Sequence, residues 1–306
     1  MVGLSKSSHF VKIPNTNSTL HLRHFHGDGA VVFMLHGAVE NGKIFYSNSD
    51  KGLAPFLARA GYDVYVMELQ GRGQSHPPIN KDSTYGQTEA ILIDIPCALE
   101  FIKQQTQNKP QHWIGHSWGG VLLAAFLART PNFGTPILSQ VYFGSKRRIN
   151  VKSWRKVIYI DFIWKRLCRW LVGLYGFLPA QKYWMGADSE SDKSHLQSVA
   201  WVYGCWHDSD DNFDYGKALK DRALPPTWFI AAQKDHILGH PSDVIDFMSE
   251  CGNGEQRYSL LSSQNGNLKE YNHIDMLTDP LAEKDHFPLV SEWMIRHEKK
   301  HARVLQ

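Results

Sequence analysis

The sequence predicts one doubly wound α/β sheet interrupted by a helix-rich insertion, and three observations carry that prediction. Short apolar runs bounded by turn residues recur at 30–35, 64–69, 137–143 and 228–232, which is how strands buried on both faces of a parallel sheet read. Stretches with apolar residues at helical spacing lie between them, so the strands are joined by helical crossovers. The alternation then breaks between Ser145 and Arg222, where Trp154, Trp164, Trp170, Trp184, Trp201 and Trp206 cluster.

The elements follow in order. Residues 9–13 and 19–26 alternate like strands, and His26-Gly27-Asp28-Gly29 marks a turn after them. The runs at 30–35 and 64–69 are buried strands, and a shorter one is centred on Trp113 and Ile114. Ile91, Leu92, Ile95, Ala98, Leu99 and Ile102 form one helical stripe. Pro96 inside that stripe predicts a kink or a new first turn. Residues 121–128 are almost all apolar and predict a buried helix. The strands at 137–143 and 228–232 flank the insertion, and helices at 241–249 and 289–297 complete the chain.

The 306 residues, 42% of them hydrophobic, are enough for a large core. A net charge of +3 gives no reason to expect nucleic acid. The N-terminus, MVGLSKSSHF, shows no apolar run of the secretory kind. The most apolar long stretch, 157–178, is broken by Asp161, Lys165, Arg166 and Arg169 and does not read as a membrane span. Cys97, Cys168, Cys205 and Cys251 are scattered, without a C-x-x-C pair. The expectation is reduced thiols in a cytoplasmic protein, which can associate peripherally with the inner face of the membrane.

Gly115-His116-Ser117-Trp118-Gly119 is a G-x-S-x-G pattern between a strand and a helix. A serine on so sharp a turn has its hydroxyl lifted into the open, next to amides at a helix N-terminus where negative charge is favoured. Ser117 is therefore the candidate nucleophile. It needs a base and a carboxylate to orient that base. Asp235 follows the strand at 228–232 and sits at a strand's C-terminal end, where α/β sheets place their sites. His273, in Tyr271-Asn272-His273-Ile274-Asp275, follows the strand near 258–261 and is the candidate base. His236, His240 and His286 are its rivals. The loop His36-Gly37-Ala38-Val39-Glu40 can aim the Ala38 N–H opposite the Trp118 N–H, as two donors for an oxyanion.

With these pieces in place the chain resembles the α/β-hydrolase superfamily, and most of all its lysophospholipase and monoacylglycerol lipase branch. The resemblance rests on His36-Gly37-Ala38, on Glu68-Leu69-Gln70-Gly71-Arg72-Gly73-Gln74-Ser75, on Gly115-His116-Ser117-Trp118-Gly119-Gly120, on Asp235 and on His273. It implies a mostly parallel eight-stranded sheet flanked by helices, with a helical cap inserted after the sixth strand. The core would be 1–144 and 223–306, and the cap 145–222. It also implies Ala38 and Trp118 as oxyanion donors. Glu68 departs from the pattern, which usually has Asp there, at a position that is mainly structural. The expected chemistry is ester hydrolysis through an acyl-enzyme, on a small ester or lipid with a hydrophobic acyl group. Thioester cleavage, acyl transfer or peptide-end hydrolysis would be alternative uses of the same residues, and a binding scaffold the non-enzymatic one. No cofactor is implied.

Two further features stand apart. His21, His24 and His26 lie close together, and His24 and His26 share a strand face. No cysteine or carboxylate nearby in sequence completes a tetrahedral set, so the expectation is a solvated strand face and no metal. Residues 152–175 read as a basic amphipathic helix. The expectation is an apolar face turned over the site with the basic face in water; contact with a membrane interface is the alternative reading.

Overall fold

A computed structural model describes residues 4–304. Among the described residues ten strands run in chain order: β1 (Lys6–Lys12), β2 (Thr19–Phe25), β3 (Val31–Leu35), β4 (Asp63–Glu68), β5 (Gln111–His116), β6 (Ile137–Phe143), β7 (Phe177–Leu178), β8 (Glu190–Ser191), β9 (Thr227–Ala232) and β10 (Gln256–Leu261). Eight of them form one sheet in the order β1-β2-β4-β3-β5-β6-β9-β10. β1 and β2 are antiparallel to their neighbours, while every pairing from β4 across to β10 is parallel. β7 and β8 form a separate two-stranded sheet.

The period of two along each strand divides the core into two layers. Val31, Phe33 and Leu35 of β3 face one layer with Tyr65 and Met67 of β4 and Phe229 and Ala231 of β9. Helices Ile95–Thr106 and Trp118–Arg129 cover that side. Val32, Met34, Val64, Val66, Trp228 and Ile230 face the other layer, under Leu53–Arg59 and Phe287–Val304. The apolar runs read as strands because both faces of each are covered.

Pro96 stands at the start of helix Ile95–Thr106, just after a wide turn of π-helix at Ala90–Asp94. Proline supplies no N–H, and widening the turn before it removes the clash with the preceding carbonyl.

Residues 144–226 leave the sheet after β6 and return at β9. A continuous helix at 154–175 contains a π-helical stretch, Val157–Leu167, and is followed by the β7–β8 ribbon and helix Asp192–Tyr203. Polar bonds tie the later half of this segment to the core. Gln87 donates to Ser194 Oγ at 2.8 Å, its amide N–H to Gln197 Oε1 at 2.6 Å, and Thr88 to Asp208 at 2.6 Å. The 154–175 helix differs from expectation. Ile160, Cys168, Leu171 and Val172 are buried, but Trp154 is 67% and Trp170 64% exposed, and Val157, Ile158, Tyr159, Phe162 and Leu174 are exposed too. A helical wheel assumes α-turns, and the i→i+5 stretch rotates successive residues differently, so the expected apolar face is split and much of it meets solvent.

The histidine cluster also differs. His21 and His24 are buried, because β2 is an inner strand with β1 on one side and β4 on the other. His21 Nδ1 bonds Glu68 at 2.8 Å and His24 Nε2 bonds Asp63 at 2.6 Å. Of the three, only His26 is exposed. Among the described residues no helix is long and apolar enough to cross a membrane.

Candidate active site

Five chain segments converge at the C-terminal ends of the parallel strands. β3 feeds the loop 36–40, β5 feeds Ser117, β6 feeds 144–147, β9 feeds Asp235, and the chain after β10 brings His273. This is the crevice side of an α/β sheet.

Ser117 stands between β5 and helix Trp118–Arg129 at φ +51° and ψ −120°, a conformation L-residues with side chains rarely adopt. Its surroundings hold it there. The Ser117 N–H donates to Phe143 O at 2.8 Å. A Cβ on Gly119 would lie 2.2 Å from Leu35 O, and one on Gly115 would lie 2.5 Å from the Gly120 nitrogen, so only glycine lets the turn pass so close to the helix and to β3. Backbone strain of this kind persists where the surroundings over-determine it.

His273 Nδ1 bonds Asp235 Oδ2 at 2.5 Å, and both side chains are buried. Burial opposes ionisation of Asp235, yet His273, Lys146 and the Gly239 amide together hold its carboxyl below the usual range. Burial likewise pushes the His273 imidazole below the ordinary histidine value; Asp235 pulls it up, and His116 and Lys146 push it further down. Among the described residues the other three candidate histidines make no hydrogen bond to Asp235. His236 is exposed, His240 caps helix Pro241–Glu250, and His286 is buried on Met276 O.

Ala38 and Trp118 line one small cavity, and neither backbone N–H is taken by a backbone acceptor among the described residues. The loop carrying Ala38 is itself strained, with Val39 at φ +49°. Val39 N–H donates to Glu190 Oε2 at 3.1 Å, and Val39 O accepts from the Asp188 N–H at 3.1 Å. Glu190 Oε1 also takes Arg72 Nη2 at 2.5 Å, both side chains being buried.

Two groups at the site are not signalled by any motif. Glu40 Oε2 accepts from the Gly37 N–H at 2.8 Å and bonds His116 Nδ1 at 2.8 Å, while His116 Nε2 bonds His273 O at 2.9 Å. Burial works against the Glu40 charge, but His116, His273 and the Gly37 amide bring its carboxyl down to about 2. Lys146 is the second. It is buried, and its Nζ donates to Ser117 Oγ at 3.3 Å. Burial lowers its ammonium below the usual lysine value against the pull of Asp235, Glu40 and Asp243. Among the described residues Ser117 Oγ makes this bond and none to His273; hydrogen bonds of catalytic groups often tighten only once substrate is bound. Glu68 takes no part here. It accepts from His21 and from the Gln74 and Gly42 amides, fixing the turn after β4.

Residues 30–133 match the family described as alpha/beta hydrolase fold. Bovine gastric triacylglycerol lipase is 31% identical over 134 residues, which are 41% of this chain and 33% of that protein. The human gastric lipase is 27% identical over 161 residues, 50% of this chain and 40% of that one. The chain thus spans less than half of either relative. Among solved structures, an esterase from Thermogutta terrifontis superposes with a TM-score of 0.60 at 13% identity, over 95% of this chain and 99% of that one. A bromoperoxidase from Bacillus anthracis superposes with a TM-score of 0.58 at 18% identity, over 96% of this chain and 100% of that one. One scaffold carries both names, so it fixes the architecture and leaves the chemistry to the site. With a matching family across β3 to β5 and the same architecture along nearly its whole length, the chain is a protein of the α/β-hydrolase fold.

Proposed function

We propose that the protein hydrolyses carboxylic esters through an acyl-enzyme on Ser117. The observation that carries this reading is the buried 2.5 Å His273–Asp235 pair beside a serine held at φ +51° on a strand-to-helix turn. His273 takes the Ser117 proton as Oγ attacks the acyl carbon, and Asp235 orients the imidazole and stabilises its charged form. The free N–H groups of Ala38 and Trp118 receive the oxyanion. His273 then protonates the leaving alcohol, and water activated by the same imidazole releases the acid. In this reading 145–222 acts as a cap over the site, and its exposed apolar side chains suit a substrate with a hydrophobic acyl group, drawn from a lipid surface.

One observation favours a second reading of the substrate. The cavity beside Ala38 and Trp118 holds only about 20 Å³ and is lined in part by Arg72, Tyr85 and Asp94, whose buried Nη1, Oη and Oδ1 atoms have no hydrogen-bond partner among the described residues. A short or polar acyl group would meet those atoms better than a long chain.

Fluorophosphonate labelling tests the chemistry. Label on Ser117 in the wild type, lost in Ser117→Ala together with p-nitrophenyl ester turnover, is the expected result. An unlabelled wild type, or full turnover in Ser117→Ala, rejects it. A series of p-nitrophenyl esters from acetate to palmitate separates the two substrates: rising kcat/KM with length favours the hydrophobic acyl group, and a maximum at acetate the short one.

A further inference from the structure

Strand pairing at the opposite end of the sheet assembles side chains that the sequence keeps apart. Ser7 of β1 lies directly across from His24 of β2, and His24 across from Tyr65 of β4. Ser7 and His9 share a face of β1, because side chains alternate along a strand. His24 faces the same way, and His26 lies two residues further on. Asp63, at the start of β4, closes the group from the far side.

The contacts are close. His24 Nε2 donates to Asp63 Oδ1 at 2.6 Å. The His24 and His26 ring centroids are 3.8 Å apart. One ligating atom each from His24, His26 and Asp63 lies within 4.8 Å of the other two. Behind them His9 Nε2 meets His24 Nδ1 at 3.2 Å, and Ser7 Oγ contacts His9 Nε2 at 3.1 Å and His26 Nε2 at 2.9 Å. Tyr65 stacks on His24 with centroids 3.9 Å apart and fixes the plane of its ring.

The geometry points to a divalent transition-metal site built from His24 Nε2, His26 and Asp63, with His9 as the group that orients His24. Two imidazoles and one carboxylate are the donor types that zinc and its first-row neighbours take. Ligand atoms around a tetrahedral ion with bonds of about 2.0–2.1 Å stand about 3.3 Å apart, so the His24–Asp63 pair has to open by well under 1 Å to admit one. The ion takes the place of the Nε2 proton that His24 gives to Asp63, and that proton passes to His24 Nδ1, so the neutral imidazole changes tautomer with no net loss of a proton. His24 then donates its Nδ1–H to His9 Nε2, the outer hydrogen bond that ligating histidines generally make. His26 is exposed and supplies the way in, and a water completes the coordination. The sequence alone hides this site because its carboxylate is brought from 39 residues away by the β2–β4 pairing. It lies where β4 begins, whereas Ser117 sits beyond the far ends of the parallel strands, so it is independent of ester hydrolysis.

The test is zinc(II) binding by the full chain without a polyhistidine tag, measured by equilibrium dialysis with elemental analysis and by isothermal titration. Expected are one zinc per chain at micromolar concentration, removal by chelator, and a higher Tm with zinc than without. His26→Ala, at an exposed position that should not disturb folding, should lower the affinity at least tenfold, as should Asp63→Asn. His9→Gln should weaken binding by about tenfold through its action on His24. No uptake by the wild type overturns the assignment. Undiminished uptake by His26→Ala also overturns it, and would place the ion at another cluster such as Glu40, His116 and His273.

Discussion

Lys146 Nζ donates to Ser117 Oγ at 3.3 Å, which places a buried cation on the atom proposed to attack. The same ammonium helps hold His273 below the ordinary histidine value, after burial and His116. A general base works only while neutral. The acid limb of kcat/KM is therefore expected below pH about 6.5, the unperturbed value for histidine. Lys146→Met removes one charge that opposes protonation of the imidazole, so its limb should move to higher pH, and Lys146→Gln should do the same while keeping a donor near Oγ. Ester turnover measured from pH about 4.5 to 8 checks this. A limb that stays in place in both variants would mean that Lys146 does not act through His273.

Glu190 bears on the other half of the chemistry. Its carboxylate holds Val39, and Val39 at φ +49° carries strain that a β-branched residue does not accept without support. Glu190→Ala should let the loop relax and take the Ala38 N–H off its aim. The expected result is a fall in kcat of about 10- to 100-fold with little change in KM, since loss of an oxyanion donor costs about 100- to 1000-fold. Glu190→Gln keeps an acceptor for Val39 and should recover part of the rate. It also leaves Arg72 buried without its charge partner, so its Tm should fall while its kcat partly returns. Equal loss of kcat in both variants would assign Glu190 to the Arg72 pair alone.

How far the sequence was legible follows from what each feature depends on. The strands of the sheet read cleanly because β3, β4 and β9 are covered on both faces, which leaves continuous apolar runs. The placement of Ser117, Asp235 and His273 at the strand ends is legible because each follows a strand directly or lies in the loop beyond one. That of Lys146 and Glu40 is not, since a lysine after β6 looks like any surface lysine until β5 and β6 pair and bring it onto Ser117. Asp63 was hidden in the same way by the pairing of β2 with β4. The exposed face of the 154–175 helix is not legible in the sequence, because a stretch of wide turns leaves no mark in composition.

Asp94 offers a prediction about stability and pH. Burial pushes its carboxyl up to about 7, and among the described residues its Oδ1 has no partner and its Oδ2 accepts a 3.2 Å bond from the Gln70 N–H. In the unfolded chain an aspartate titrates near 3.9. Between the two values the folded state binds more protons than the unfolded state, so this group's contribution is full below about pH 4 and is lost as pH rises through about 7. At about 1.4 kcal/mol for each pH unit between the two values, the upper limit is ~4 kcal/mol. Asp94→Asn keeps the shape and removes the titration. Its stability relative to wild type, from urea unfolding, should be higher at pH 8 than at pH 5. A difference that does not change with pH would show that Asp94 does not titrate in this range.

The exposed side of the 154–175 helix gives the last prediction. Trp154, Val157, Phe162, Trp170 and Leu174 face solvent, interleaved with the exposed Arg155, Lys165, Arg166 and Arg169. Apolar rings among cations suit the interface of a membrane that carries anionic lipid, where each basic residue near the surface contributes about 1 kcal/mol and the rings enter the headgroup boundary. Vesicles of phosphatidylglycerol and phosphatidylcholine should therefore carry the protein upward in a flotation gradient at low salt. Binding should weaken as salt screens the charges, and vesicles of phosphatidylcholine alone should hold far less protein. Trp154→Ser with Trp170→Ser removes the two most exposed rings of this helix without touching its buried residues, so it should abolish flotation and leave turnover of a water-soluble p-nitrophenyl ester unchanged. If the protein stays at the bottom of the gradient with anionic vesicles at low salt, this face does not bind lipid. If the double variant floats like the wild type, binding runs through another surface.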